Sequence, residues 1–230
     1  MGNLADKLRS AITDDLIKTT VRFFDKNEHV YNWGDQDDCV YLVERGRVKA
    51  TRFSEGGKQC LLSIHGPGDV FGELCLISES RAETTTAMTV VVAREIPCLA
   101  FRSLLAHEGL SEALFGHLAG RLAEQQQMIT YLVTMDCKQR LAAVMLHLGR
   151  KLGRRCPAGL RLEEKITHEE LSAMVGTTRS RVGYFLKSFH EEGLIRRGHD
   201  GTVIIEEEGL SARVAAWQGQ LTPKGVAAAP

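Results

Sequence analysis

The chain of 230 residues is 43% hydrophobic and 25% charged, enough apolar side chain for one large or two modest cores, which excludes a disordered chain, a collagen and a small disulfide scaffold. Its 29 basic and 29 acidic residues cancel, yet the residues through Asp136 carry 14 basic and 19 acidic side chains and the remainder 15 and 10, so the second part alone favours a polyanion. No run approaches the roughly 20 apolar residues of a membrane span, and the start MGNLADKLRS lacks the apolar core of a signal peptide, so a soluble cytoplasmic protein without a membrane partner is expected. Six scattered cysteines (Cys39, Cys60, Cys75, Cys98, Cys137, Cys156) show no Cys-x-x-Cys and no zinc-finger spacing, which predicts reduced structural thiols and no metal.

From Arg22 to about Phe101 short apolar strings broken by glycine predict many short strands in an all-β sandwich or roll. Val40–Val43 and Val48–Phe53 flank Glu44-Arg45-Gly46-Arg47, and Ser54-Glu55-Gly56-Gly57 leads on to Cys60–Ile64; both connections read as hairpins. After Phe101 the period changes. Leu110, Leu114, Leu118, Leu122, Gln125, Ile129, Leu132 and Met135 recur every three or four residues, a coiled-coil seam on one helix. Such a helix, about 26 residues and roughly 39 Å long, exceeds what a roll of this size can bury, so a second copy is its expected partner. The alternative is a helix lying along its own domain. Leu141–Leu152 forms another amphipathic helix, Gly153 to Lys165 a polar connector, and the domain boundary falls near Asp136. Helices over Thr167–Val175 and Thr178–Glu192 and a hairpin ending near Glu207 follow, and the tail LTPKGVAAAP is expected to be disordered.

Thr167-His168-Glu169-Glu170 reads as a capping box, Gly176 as the following turn and Thr177 or Thr178 as the cap of a second helix that buries Val182, Leu186 and Phe189. This is a helix-turn-helix pattern. Its second helix exposes Arg179, Ser180, Arg181, Tyr184 and Lys187. Arginine can donate two bonds to guanine, and hydroxyls or lysine can hold phosphate. Solvated surface charges are the alternative, and the glycine turn and the basic half of the chain weigh against it. Gly193–Gly198 and Thr202–Glu206 read as a wing on which Arg196, Arg197 and His199 could meet phosphate.

Val70–Ile77 followed by Arg81-Ala82-Glu83-Thr84 sets a glycine, a carboxylate, an arginine and free amides close together, a combination suited to a ribose cyclic phosphate. On spacing alone a surface Glu–Arg pair is the competing reading.

Phe71-Gly72-Glu73-Leu74 with Arg81-Ala82, followed by Ile166-Thr167 through Val182, resembles the cyclic-AMP receptor protein/FNR (Crp/Fnr) family of bacterial transcription regulators over about residues 20 to 208. The resemblance implies an α+β chain: an N-terminal cyclic-nucleotide-binding β-roll (jelly roll, 1–108), a long dimerisation helix (109–136) and a winged helix-turn-helix (137–220), then the tail 221–230. It implies that Gly72, Glu73 and Leu74 meet the ribose, that Arg81, Ala82 and Glu83 surround the cyclic phosphate, and that Arg121, Gln125 and Gln126 face the ligand from the long helix. Thr167, Thr178, Arg179, Ser180, Arg181, Tyr184 and Lys187 would contact DNA. A cyclic nucleotide (cAMP or cGMP) is the expected effector, and the expected partners are a pseudo-palindromic operator, a second copy and RNA polymerase. No catalytic pair or metal cluster is legible, so no enzyme activity is expected.

The sequence departs from the family pattern in several places. Glu83 brings a carboxylate among the phosphate-binding amides, the loop from Glu73 to Arg81 is short, and Gln125 and Gln126 replace small hydroxyl residues. Ser180 and Tyr184 replace a glutamate and a second arginine, so the operator is expected to differ from a TGTGA half-site. These departures leave another ligand, or none, as alternatives for the pocket, haem on ligands such as Cys75, His29, His65 or His117 among them; no cysteine cluster supports an iron-sulfur centre. A cyclic-nucleotide module without DNA binding would have no use for Thr167–Phe189.

Overall fold

The Asn3 side chain accepts the Asp6 amide and starts helix α1 (Leu4–Thr13), whose Leu4, Ala5, Leu8 and Ala11 face inward. This helix is an addition to the sequence reading. The structure, a computed structural model, describes residues 3–107, 109–163, 165–198 and 202–219, so His199 and the tail 221–230 lie outside the described residues.

Eight strands follow: β1 (Thr20–Phe24), β2 (His29–Tyr31), β3 (Cys39–Arg45), β4 (Val48–Phe53), β5 (Gln59–His65), β6 (Val70–Phe71), β7 (Thr84–Ala87) and β8 (Val91–Pro97). They form two antiparallel sheets, in the orders β1-β8-β3-β6 and β2-β7-β4-β5. Phe24, Tyr41, Val43, Phe71 and Ala93 from the first sheet and Tyr31, Val48 and Ala87 from the second share one buried cluster, which makes the pair the expected β-roll.

One expected hairpin is corrected. β3 pairs with β8 and β6 while β4 pairs with β5 and β7, so Gly46 carries the chain from one sheet to the other. Its φ of +81° and the Val90 carbonyl, 2.2 Å from where a Cβ would stand, require glycine there as firmly as a tight turn would. The β4–β5 connection is the hairpin expected.

Helices α2 (Cys98–Leu104) and α3 (Leu110–Thr134) follow. Leu110 and Leu114 pack with Leu4, Leu8, Phe101 and Leu104, so the first turns of α3 belong to a core and not to a seam. Farther along, Leu122 (56% exposed), Ile129 (59%) and Leu132 (48%) remain open, as do Val133 and, beside Leu114, Phe115, both outside the expected stripe.

Helix α4 (Cys137–Leu152) starts four residues before the expected Leu141, because the Asp136 side chain accepts the Lys138 and Gln139 amides and Gln139 returns a bond. Buried Arg140 donates to the Leu132 carbonyl at 2.9 Å and the Met135 carbonyl at 3.4 Å, satisfying acceptors at the end of α3.

Next come β9 (Gly153–Cys156), β10 (Gly159–Leu162), α5 (His168–Val175), α6 (Arg179–Glu191), β11 (Ile195–Arg197), β12 (Val203–Ile205) and α7 (Glu207–Gly219). The expected connector is thus a hairpin, and the wing is a four-stranded sheet in the order β11-β12-β10-β9. Leu160 and Leu162 point inward and Arg161 outward, an alternation too short to stand out in the sequence. The chain divides into compact units 1–125 and 126–230, within α3. Among the described residues no helix is long and apolar enough to cross a membrane.

Candidate functional site

The turn after β6 opens at Gly72, with φ +82°, where a Cβ would stand 3.0 Å from both the Cys39 carbonyl and Arg81 Nη1. A 3-10 turn over Glu73–Leu76 then buries Glu73 and leaves Leu74 37% exposed. Glu73 Oε1 pairs with Nη1 of Arg121 on α3. Glu73 Oε2 is buried and has no hydrogen-bond partner among the described residues. A buried acceptor without a donor costs about 1–3 kcal/mol, so this atom suits a ligand hydroxyl.

Arg81 lies deeper than a surface pair would. Its side chain is 3% exposed, Nη2 and Nε donate to Asp37 Oδ2 at 2.7 and 3.2 Å, and Nη1 donates to the Gly72 carbonyl at 2.7 Å. Nη2 also reaches the Cys39 carbonyl, and the guanidinium lies 4.1 Å from the centre of the Tyr31 ring. Burial acts to lower the Arg81 pKa, but hydrogen bonding to Asp37 and the charges around it outweigh burial and raise it.

Asp37 also accepts the Tyr41 hydroxyl at 2.9 Å. Glu83 accepts the Tyr31 hydroxyl at 3.1 Å. Burial, and after it the Glu83 charge, hold the Tyr31 hydroxyl well above its ordinary pKa. The structure therefore joins Gly72, Glu73, Arg81 and Arg121 and adds Asp37, Tyr31 and Tyr41, which sequence reasoning missed. The signal available was the acidic run Asp35-Gln36-Asp37-Asp38, since a buried arginine needs a counterion. Ala82 and Glu83 are half-buried, and Gln125 and Gln126 are exposed on α3.

The residues considered for haem have other company. His29 Nδ1 lies 2.9 Å from Thr86 Oγ1, and His65 Nε2 lies 2.9 Å from Ser63 Oγ while its ring stacks on Phe71. His117 lies on α3, and Cys75 sits beside Asp38 and Cys98.

In the second unit the capping box is formed: the Glu170 amide donates to Thr167 Oγ1 at 3.1 Å and the Thr167 amide to Glu170 Oε2 at 2.9 Å. Gly176 ends α5 with φ +66°, and Thr178, not Thr177, caps α6. Val182, Leu186 and Phe189 are buried, which turns Arg179, Ser180, Arg181, Tyr184 and Lys187 outward; Tyr184 is 72% exposed. Arg196 and Arg197 are exposed on β11. Thr167→Ala is expected to lower stability by about 1 kcal/mol through loss of the cap, measured by urea unfolding, with the exposed α6 face unchanged.

The electrostatics of this face carry a pH dependence. Burial, then Arg179, Arg197 and Lys165, lower the pKa of His168. The unfolded state therefore takes up this proton first, so the contribution is present above the unfolded pKa of about 6.5 and declines as pH falls through that range. Comparing urea unfolding at pH 7.5 and 5.5 is expected to show a smaller acid loss in His168→Gln than in the parent.

Comparison with known proteins places these features in a common frame. Residues 21–108 match the cyclic nucleotide-binding domain model, and residues 139–213 match the Crp-like helix-turn-helix domain model. The chain is 32% identical over 192 residues to a CRP-like cAMP-activated global transcriptional regulator of Mycobacterium tuberculosis, covering 83% of this chain and 86% of that protein. It is 31% identical over 204 residues to the cyclic AMP receptor protein of Thermus thermophilus, covering 84% and 87%. A solved CRP/FNR-family transcriptional regulator of Thermus thermophilus superposes with a TM-score of 0.69 at 28% identity, covering 85% of this chain and 98% of that one. These are transcription regulators and not enzymes.

Proposed function

The chain belongs to the Crp/Fnr family of DNA-binding transcription regulators, and on that premise we propose that it works as a homodimer whose affinity for a pseudo-palindromic operator is set by a cyclic nucleotide, cAMP or cGMP, in the β-roll. The observation that carries the effector reading is the buried Oε2 of Glu73, unpartnered among the described residues, next in the chain to Gly72, whose carbonyl Arg81 holds. Glu73 Oε2 would accept a ribose hydroxyl and Leu74 would line the same turn. Arg81 would give up the Asp37 carboxylate for the cyclic phosphate, with Ala82 at its side and Glu83 held off by Tyr31. Arg121, tied to Glu73, would pass the change to α3, where Gln125 and Gln126 would face the base. The bound anion would then supply the charge that Asp37 supplies without it.

On α3 the exposed Leu122, Ile129 and Leu132 form the surface offered to a second copy, in the proposed dimerisation segment 109–136 between the effector domain 1–108 and the DNA-binding domain 137–220. Pairing would set the two α6 helices about 34 Å apart, one DNA turn. Thr167, Thr178, Ser180 and Lys187 would hold phosphates, while Arg179, Arg181 and Tyr184 would face base edges, and RNA polymerase would be the partner at the promoter. Ile129→Glu is expected to shift the protein to monomer and to weaken operator binding by at least about tenfold, read by sedimentation and fluorescence anisotropy. A dimer unchanged in this variant would place the contact elsewhere.

Titration calorimetry with cAMP and cGMP, with Glu73→Gln as control, tests the effector. Binding weakened in the control supports the reading; no binding to either nucleotide refutes it. A second reading rests on Asp37: Arg81 is neutralised without any ligand, so the roll can hold its shape as the regulator of an effector-independent or differently liganded protein.

A further inference from the structure

Among the described residues, one oxygen of Asp38 and the sulfurs of Cys75 and Cys98 all lie within 4.8 Å of one another. Three separate elements bring them there. Asp38 immediately precedes β3, Cys98 opens α2, and Cys75 lies in the 3-10 turn after Gly72. The backbone sets the first two side by side: Cys39 pairs with Pro97 across β3 and β8, and the Cys98 amide donates to the Asp38 carbonyl at 2.9 Å. The Cys75 amide donates to the Gly72 carbonyl at 3.2 Å, fixing the third. Both cysteines are buried, while Asp38 is exposed on the wall of a surface cleft of about 600 Å³ that Cys75, Cys98 and Arg102 also line.

We propose that Asp38, Cys75 and Cys98 form a binding site for a thiophilic divalent cation, Zn²⁺ by its donor chemistry. Two sulfurs and one carboxylate oxygen suit a borderline-soft ion; Mg²⁺ and Ca²⁺ call for oxygen ligands throughout, and an iron-sulfur cluster calls for four protein ligands. With Zn–S near 2.3 Å and Zn–O near 2.0–2.2 Å, tetrahedral donors stand roughly 3.5–3.8 Å apart, so the three atoms are within about 1 Å of a ligating arrangement. Rotation of the exposed Asp38 side chain would bring its oxygen closer to both sulfurs, and small χ1 adjustments of Cys75 and Cys98 would close the sulfur pair. Two thiolates and a carboxylate around Zn²⁺ leave one net negative charge, which the Arg102 guanidinium in the same cleft offsets. Three protein donors would leave the fourth position of a tetrahedral ion for water or a ligand entering from the cleft. Because Cys75 shares its short turn with Glu73, a bound cation would hold the segment that carries the effector acceptor. The site itself does not depend on which effector the roll takes.

The test is a titration of the reduced full-length protein with Co²⁺ under anaerobic conditions, followed by displacement with Zn²⁺. The expected result is one Co²⁺ per chain with a thiolate-to-cobalt charge-transfer band that Zn²⁺ bleaches. The band is lost in Cys75→Ser and Cys98→Ser, and unchanged in Cys60→Ser, whose thiol is exposed on β5. Since the two buried cysteines also belong to a core, Asp38→Asn gives a variant at an exposed position: it is expected to keep the parent's circular dichroism and to need at least about tenfold more Co²⁺ for half-saturation. No band in reduced protein whose thiols still react with a disulfide reagent overturns the proposal, as does a band that survives in Cys75→Ser or a Cys75–Cys98 disulfide in protein that takes up no metal.

Discussion

Asp37→Asn is expected to lower the unfolding temperature of the ligand-free protein by roughly 6–12 °C and to tighten binding of an anionic effector. The residue holds a guanidinium whose side chain is only 3% exposed, and removing one partner of such a pair costs about 3 kcal/mol or more because the other charge stays buried. At about 2–4 °C per kcal/mol for a chain of this size, that is the shift given. Asparagine keeps an acceptor for Arg81 and Tyr41, so charge is the main quantity changed. With the competing carboxylate gone, a cyclic phosphate no longer has to displace it, and each 1.4 kcal/mol so recovered is about a tenfold gain in affinity. Differential scanning calorimetry with and without cAMP or cGMP measures both effects. Equal unfolding temperatures for parent and variant would mean that Asp37 is not the arginine's effective counterion; an equal nucleotide affinity would mean that the phosphate does not go to Arg81.

The second large effect concerns DNA. Arg179→Ala combined with Arg181→Ala is expected to weaken specific binding to a selected operator by about 30-fold to 10⁴-fold, since each bidentate contact to guanine contributes about 1–3 kcal/mol. Both side chains are exposed, so stability should move by no more than about 0.5 kcal/mol. Lys187→Ala should act differently, weakening binding to all sequences and reducing the salt slope by about one. Fluorescence anisotropy at several salt concentrations separates the two, and unchanged operator binding in the double variant at moderate salt would remove these arginines from the reading surface.

The helix-turn-helix was legible because its determinants are local. The Thr167 and Glu170 bonds span three residues, Gly176 supplies its own conformation, and the apolar spacing of Val182, Leu186 and Phe189 fixes which side faces out. The effector site was legible only in part. Gly72, Glu73 and Arg81 are close in sequence, but the arginine's partner Asp37 lies 44 residues before it and is brought there by backbone bonds between two loops, the Arg81 amide to the Asp35 carbonyl and the Gly34 amide to the Arg81 carbonyl. The same limit explains Gly46: a positive φ announces a reversal of the chain, but whether the next strand joins the same sheet depends on partners far away. The Asp38, Cys75 and Cys98 group was invisible for that reason too, since its atoms meet through the β3–β8 register and not through a spacing motif. Leu110 and Leu114 kept the period of a seam but lost their exposure to α1, a helix the sequence reading had not placed.

The buried Arg140 guanidinium works as a clamp across the bend between α3 and α4. It rides on α4, one turn after the Asp136 cap, and holds the Leu132 and Met135 carbonyls. Swivelling one helix against the other at this joint would strand a buried cation and two acceptors at once, so the bend resists free rotation. A twist imposed on the last turn of α3 is therefore delivered to α4 as torque instead of being dissipated in a loose linker.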